Sequence, residues 1–326
     1  MTPNRPHRRG VSRAWTWALG VPTAGLVALA GVHLATGDRH VVVALVHAGI
    51  GWWLAPAWLV AGLAAATRRT RIGAVAAGVA AVHLLRVAPG NVPRLERPSP
   101  LEAVRLGTIN VLGVHPDPDR QIAALQALDA DVWCVQELTG PFAARLARDP
   151  RWTHQHLEPD DQSSFGIGVV SRLPLHDVRT EDLLGVPMIS ARIGGQGPAA
   201  GVALACVHSV PPRTAAYTED WADQLALLGR RLADRGPVVV LGDLNATRHH
   251  PSFRALARAA GVRDGLADTG QARARTWPAP PYFLRVPMLR LDHVLLPDAL
   301  RAISARVAPP SGSDHLAVVV DVVRTR

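Results

Sequence analysis

The sequence has no lysine, and 35 arginines carry all of its permanent side-chain positive charge. With alanine so abundant, that reads as a coding bias and not as chemistry. Cysteine is nearly absent. Cys134 and Cys206 are the only two, too few for a disulfide framework. Each lies in an apolar run with the pattern of a buried strand, where cysteine serves as a small core residue; a bond between the two is the alternative. Residues 101–326 lack an excess of either charge, with 24 arginines against 24 acids. A stretch so balanced has no net basic field to steer a polyanion, although a local basic groove is compatible with it. It contains no internal repeat and no low-complexity tail.

The net charge of +9 therefore belongs to residues 1–100, where 11 arginines face only Asp38 and Glu96. The same region is built mostly of Ala, Val, Leu, Gly and Trp. Three segments, about 14–36, 41–66 and 72–88, are apolar enough to cross a bilayer, which takes about 20 residues; the third is the shortest. Arg5, Arg8, Arg9 and Arg13 precede the first segment, and Arg68, Arg69 and Arg71 fill the second loop. By the positive-inside rule both are cytoplasmic. Three crossings then place everything after residue 90 outside the cytoplasm. Without the third crossing the rest of the chain would be cytoplasmic. The first apolar run is longer than a signal-peptide core and reads as an uncleaved anchor. His33, His47 and His83 fall within the spans, where hydrogen bonding between helices is the expected role and an intramembrane site the alternative. Trp52, Trp53 and Trp58 suit interfacial or packing positions, and Pro56 is expected to kink the second span. Residues 89–100, rich in proline, read as a linker.

From residue 101 the pattern changes to short apolar strands separated by helices. Strands are expected at 104–110, 132–136, 166–171, 188–193, 202–208, 238–242, 291–296, 303–308 and 317–323, and helices at 119–128, 216–234 and 251–260. So much strand in one domain is buried by packing two sheets together under helices.

The polar residues at the strand ends stand out. Asn110 ends the first strand, Glu137 follows the second and His208 ends another. Asp243 and Asn245 follow 238–242, Asp292 sits within Leu-Asp-His-Val-Leu-Leu, and Asp314 and His315 precede the last strand. A carboxylate at the edge of a buried strand is costly unless it is paired or binds a cation, so several of them imply one shared polar site. The ordered set Thr108-Ile-Asn110, Gln136-Glu137, 166–172, His208, Gly242-Asp-Leu-Asn-Ala246, Leu291-Asp-His293 and Gly312-Ser-Asp-His315 resembles the endonuclease/exonuclease/phosphatase superfamily over residues 101–326. The resemblance implies a four-layer α/β sandwich, two mixed sheets flanked by helices, preceded here by the three transmembrane helices. It implies a Mg²⁺ or Mn²⁺ cofactor held chiefly by Glu137, with Asn110 and Asp314 nearby; hard oxygen ligands suit such an ion. It implies that Asp243 positions or deprotonates the attacking water, that Asn245 and His208 hold phosphate oxygens, and that His315, oriented by Asp292, meets the scissile phosphate or moves a proton.

Other residues have plainer readings. His293, one position from Asp292, faces the other side of its strand and is structural. His249 and His250 are read as exposed loop residues, Arg172 as a structural contact near the site, and Ser313 as a cap on the Asp-His turn. His115, His154 and His156 form no ligand pattern. Leu138 stands where some nucleases of the superfamily carry Arg, and the Trp-containing signatures of inositol-polyphosphate phosphatases are missing around Asp243 and Asp292. The expected activity is hydrolysis of a phosphodiester or phosphomonoester by metal-assisted attack of water, in a multi-pass protein of a bacterial cell membrane. The substrate is a nucleic acid or a phospholipid head group, the bilayer is the other partner, and no protein partner is inferred. A non-catalytic phosphate-binding module on the same fold is the competing class, with a transporter or sensor built on the three membrane histidines behind it.

Overall fold

The computed structural model describes residues 6–88, 103–113, 117–280, 286–308 and 312–325, without the side chains of 6–12. The chain divides into two compact units, Met1–Ala88 and Pro89–Arg326. The expected linker, 89–100, lies outside the described residues.

The first unit consists of α1 (Pro6–Ala35), α2 (Val41–Ala48), α3 (Ile50–Trp53), α4 (Pro56–Ala66) and α5 (Thr70–Val87). Two of its helical stretches, Arg13–Ala35 and Thr70–Val87, are long and apolar enough to cross a membrane, and Val41–Ala48 with Ile50–Ala66 adds a third if that pair, bent by 67°, is one span. The bend lies at Gly49 and not at Pro56, which opens α4 at its first turn. Trp53 folds back over Gly49 to donate Nε1–H to the Leu45 carbonyl at 3.3 Å. A Cβ on Gly49 would stand 2.5 Å from that indole nitrogen. Leu26, Ile50, Leu54, Ala57 and Val79 fill the interior, whereas Trp17, Val21, Leu59 and Leu85 are exposed, an apolar exterior that suits lipid. The three histidines hydrogen-bond between segments: His33 Nδ1 to His47 Nδ1 at 2.7 Å, and His83 to Trp58 Nε1–H at 3.0 Å and the Gly51 carbonyl at 2.9 Å.

The second unit holds two six-stranded sheets. Its elements in chain order are β1 (Val104–Asn110), α6 (Pro118–Leu128), β2 (Val132–Gln136), α7 (Gly140–Leu146), β3 (His154–Glu158), β4 (Ile167–Ser171), β5 (Leu175–Asp182), β6 (Pro187–Ile193) and β7 (Ala203–His208). There follow α8 (Ala215–Ala233), β8 (Val238–Asp243), α9 (Pro251–Ala259), β9 (Val262–Asp264), β10 (Asp292–Pro297), β11 (Leu300–Ala308) and β12 (Ala317–Arg324). One sheet runs β11-β12-β1-β2-β4-β3, the other β5-β6-β7-β8-β10-β9. Both are mixed. β1–β2 and β7–β8 are parallel pairs, and the other neighbours are antiparallel.

The central strands are apolar on both faces because both are covered. Between the sheets lie Leu106, Val169, Leu204, Leu241, Val294 and Val320. Outside the first sheet, Trp133 lies against Leu125, Phe142 and Leu146 of the helices, and its ring occupies the space a side chain at Gly107 would need. α8 buries Trp221, Leu225 and Leu228, and Gly229 admits α9. The expected sandwich of two mixed sheets flanked by helices is present.

Three strands escaped the sequence pattern: β3, β5 and β9, all at sheet edges. β5 has no fully buried residue, so no alternation of apolar and polar side chains marks it. The cysteines form a disulfide, Cys134–Cys206, which joins β2 of one sheet to β7 of the other. Closing a loop of 72 residues is worth roughly 4 kcal/mol by chain entropy.

Candidate active site

The strand register decides where the polar residues meet. Asn110 pairs with Gln136, the residue before Glu137, at the C-terminal ends of the parallel β1 and β2. In the other sheet His208 pairs with Asp243 at the C-terminal ends of β7 and β8, and Asp292, at the start of the antiparallel β10, pairs with the same Asp243. The turn Ser313–Leu316 leads into β12 beside β1. One edge of both sheets thus receives every strand end singled out by sequence.

The side chains form a connected network. Asn110 Nδ2–H donates to Glu137 Oε1 at 3.0 Å and to Asp243 Oδ2 at 3.2 Å, which links the sheets. Glu137 Oε2 accepts from the Gly113 amide at 3.1 Å. His315 Nδ1 bonds Asp292 Oδ2 at 2.8 Å, and its Nε2 stands 3.7 Å from Asp243 Oδ2. His208 Nε2 lies 3.9 Å from that same oxygen. Asp243 Oδ1 accepts the Asn245 amide at 2.8 Å, while Asn245 Nδ2–H donates to the Ser209 carbonyl at 2.9 Å. Asp314 shares the His315 turn, but its Oδ2 accepts from Trp277 Nε1–H at 3.0 Å. Asn110, His208, Asp243, Asp292 and His315 are buried, and Glu137 is half-buried.

Local backbone holds these groups in place. Glu137 and Asn245 have positive φ, 57° and 45°, in the left-handed region where side chains other than Asn and Asp are costly and where strain marks functional positions. Gly242, at φ 151°, approaches β7 so closely that a Cβ would stand 1.9 Å from the Val207 carbonyl oxygen; only glycine delivers Asp243 there. Ser313 Oγ–H donates to the Asn110 carbonyl at 2.6 Å and accepts the His315 amide at 3.0 Å, the expected cap.

Burial drives both aspartates toward the neutral form. For Asp243 the positive fields of His315 and His208 outweigh it, and the carboxyl is held below its usual range. For Asp292 burial prevails over the bond to His315 and the carboxyl is raised. Burial pulls His315 down as well, but Asp292 and Asp243 push it up to about 10. The favoured state is an ionised Asp243 facing a protonated His315.

Among the described residues, Asp243, Asp292 and His315 form the group of donor atoms close enough together to share a cation. That trio differs from the set of Glu137, Asn110 and Asp314 expected by resemblance, and the imidazolium already supplies it with a positive partner. Glu137 has no ion pair among the described residues; its oxygens meet only neutral N–H donors. A half-buried carboxylate in a strained conformation, without a cation beside it, is the better fit to a divalent ion.

Three supporting residues carried no sequence signal. Thr276 Oγ accepts the amides of Leu291 and Asp292 at 3.0 and 3.3 Å, and Trp277 holds Asp314. Phe165 lies against His208 with ring centroids 5.5 Å apart. Arg172 is not near the site. It follows β4 at the opposite edge and pairs with Asp129 and Asp131, because β4 runs antiparallel to β2. His250 is not exposed but buried against Trp221, ring centroids 5.0 Å apart. Leu138 is wholly buried in the core.

His293 is structural. Its Nε2–H donates to the Ala246 carbonyl at 2.8 Å, its ring packs on Phe253, and burial depresses it to about 4.

Residues 107–315 match the family model described as Endonuclease/Exonuclease/phosphatase family. No curated protein sequence matches the chain. Among solved structures, zebrafish (D. rerio) TDP2 complexed with a single-strand DNA product is 15% identical, covering 68% of this chain and 98% of that one, with a TM-score of 0.55. The 3'-5' exonuclease NExo of Neisseria meningitidis is 20% identical over 67% of this chain and 98% of its own, with a TM-score of 0.51. A family protein from Bacteroides thetaiotaomicron is 13% identical over 71% and 100%, with a TM-score of 0.54. At these identities the likeness establishes the fold.

The neutral burial of His293 sets a pH dependence. Below the unfolded value of 6.5 the unfolded chain binds a proton that the folded chain refuses until about pH 4. Stability therefore falls as pH drops from about 6.5 to about 4. Denaturant unfolding across that range should show a shallower loss in His293→Gln than in wild type; identical slopes would contradict the assignment.

Proposed function

We propose, from the premise that this chain belongs to the endonuclease/exonuclease/phosphatase family of phosphoester hydrolases, that it is a membrane-anchored, divalent-metal-dependent phosphoesterase acting outside the cytoplasm. The observation that carries this reading is the single network joining Glu137, Asn110, Asp243, His208, His315 and Asp292 at one edge of both sheets. A bound Mg²⁺ or Mn²⁺ would neutralise charge on the phosphate and stabilise the departing oxygen. Glu137 would hold it, assisted by Asn110, with Asp314 as a further oxygen donor if its carboxylate leaves Trp277.

The remaining roles follow from charge and position. Asp243, kept ionised among buried groups, accepts a hydrogen bond from an attacking water and aligns or deprotonates it. His315 keeps its proton at neutral pH and presents Nε2–H toward the negative transition state, with Asp292 fixing the ring through Nδ1. His208 and Asn245, flanking Asp243 on either side, supply further donors to phosphate oxygens.

Two substrate classes share this phosphodiester chemistry. The DNA product bound to zebrafish TDP2 and the exonuclease activity named for NExo favour a nucleic acid. The apolar helices of the first unit favour a phospholipid head group, because they would hold the site near a bilayer.

The extracytoplasmic placement rests on three spans with arginine-rich cytoplasmic ends. The Cys134–Cys206 disulfide supports it independently, since such bonds persist in oxidising compartments and are rare in the cytosol. A periplasmic-type activity reporter fused after Arg326 should be active, and a cytoplasm-only signal would refute the orientation.

For the chemistry, the detergent-solubilised full chain should be assayed on plasmid DNA, RNA, sphingomyelin, phosphoinositides and a chromogenic bis-ester, with Mg²⁺, Mn²⁺ or EDTA. Hydrolysis of at least one substrate, lost in EDTA and reduced by ~10³-fold or more in Glu137→Ala, is expected. Metal-dependent cleavage that survives Glu137→Ala intact would remove the assignment. No hydrolysis of any substrate would favour a non-catalytic phosphate-binding module.

A further inference from the structure

Each half of the site hangs on a different sheet. Glu137, Asn110 and His315 belong to the sheet containing β1, β2 and β12, and His208, Asp243 and Asp292 to the sheet containing β7, β8 and β10. The halves meet through Asn110 to Asp243 at 3.2 Å, His315 to Asp292 at 2.8 Å and His315 to Asp243 at 3.7 Å. The first two are hydrogen bonds, which fail beyond about 3.5 Å, so they require a fixed gap between the sheets.

The disulfide sits where it sets that gap. Cys134 lies three residues before Glu137 on β2, and Cys206 two residues before His208 on β7. Their Cα atoms are 5.5 Å apart, whereas stacked sheets ordinarily lie about 10 Å apart. Backbone lines the bond on both sides: the Gly168 carbonyl oxygen is 3.6 Å from Cys206 Sγ, and the Leu241 carbonyl oxygen 3.3 Å from Cys134 Sγ. A disulfide confines its two Cα atoms to a narrow range of separations, so the bond limits how far β2 and β7 can part at the point that leads directly into Glu137 and His208.

We propose that the Cys134–Cys206 bond is a positioning element of the site: it holds the metal-binding half against the half bearing Asp243 and His208, so that full activity belongs to the oxidised protein. This rests on the phosphoesterase reading above. Forming the bond oxidises two thiols, and the two electrons and two protons pass to an exchangeable disulfide of the surrounding compartment, which leaves as a pair of thiols. Neither cysteine touches substrate or metal; both act through Glu137 and His208.

The test uses the detergent-solubilised full chain as oxidised wild type, as wild type refolded with its thiols free, and as the double variants Cys134→Ala/Cys206→Ala and Cys134→Ala/Cys206→Val. Circular dichroism selects a temperature at which each is folded, kcat and KM are measured on the best substrate of the screen, and Mn²⁺ affinity is measured by electron paramagnetic resonance. The expected result is a fall in kcat of about 10- to 100-fold, the cost of a misplacement on the order of 1 Å, with a smaller change in KM, weaker Mn²⁺ binding, and recovery of the refolded wild type on reoxidation. Folded variants that keep kcat and Mn²⁺ affinity within about twofold of wild type would reduce the bond to a stabiliser and overturn the proposal. Free thiols by intact mass in protein taken unreduced from membranes would also overturn it. If the oxidised wild type binds Mn²⁺ but hydrolyses nothing, the phosphoesterase reading fails, while the Mn²⁺ comparison still decides the positioning role. A wild type that does neither overturns both.

Discussion

Two aspartates and two histidines share one buried edge of this molecule, and the structure around them is what makes their burial tolerable. A lone carboxylate taken out of water costs several kcal/mol even after relaxation. Asp243 and Asp292, with almost no exposed surface, survive because His315 lies between them and because the Asn110 side-chain amide and the Asn245 backbone amide each donate to Asp243. The offset is geometric: it exists only while both sheets present their strand ends in one register. The glycine at 242, the left-handed turns at Glu137 and Asn245, and the Ser313 cap are all local means to that end. The same arrangement leaves an ionised Asp243 opposite a protonated His315, the charge pattern needed to align a water and to meet a negative transition state.

Much of this was legible in the sequence, and the reason is physical. The central strands are covered on both faces, so they read as unbroken apolar runs, and a polar residue at the end of such a run stands out. Asn110, Glu137, His208, Asp243 and Asp292 are all of that kind, and the structure brings them together with His315. Asp314 shares the turn, yet its carboxylate is engaged by Trp277, an interaction between residues 37 positions apart that no local pattern announces. The edge strands β3 and β5 were silent because neither has a buried apolar face: their residues are half-buried or exposed and mostly polar. Arg172 was misplaced because its motif names a strand without the strand's direction. The disulfide depends on which faces of two separate sheets oppose one another, and His250 on the fold of the loop that carries it under Trp221. Both are tertiary facts.

The first unit repeats the lesson at a smaller scale. Composition sufficed to find its apolar helices. The bend in the middle segment was assigned to Pro56, but a proline at the first turn of a helix is well tolerated. The site of bending is Gly49, where the absence of a side chain lets the Trp53 indole fold back. The disulfide joins the two sheets of the second unit, a cross-link of the kind that persists in oxidising compartments.

The central claim is that the strand ends hold a divalent cation on Glu137, beside and not within the trio of Asp243, Asp292 and His315. The most direct measurement is anomalous diffraction from crystals of the chain soaked with Mn²⁺. The expected result is a single peak against the Glu137 carboxylate and Asn110. A peak centred among Asp243, Asp292 and His315, or none at all near Glu137, would contradict the account.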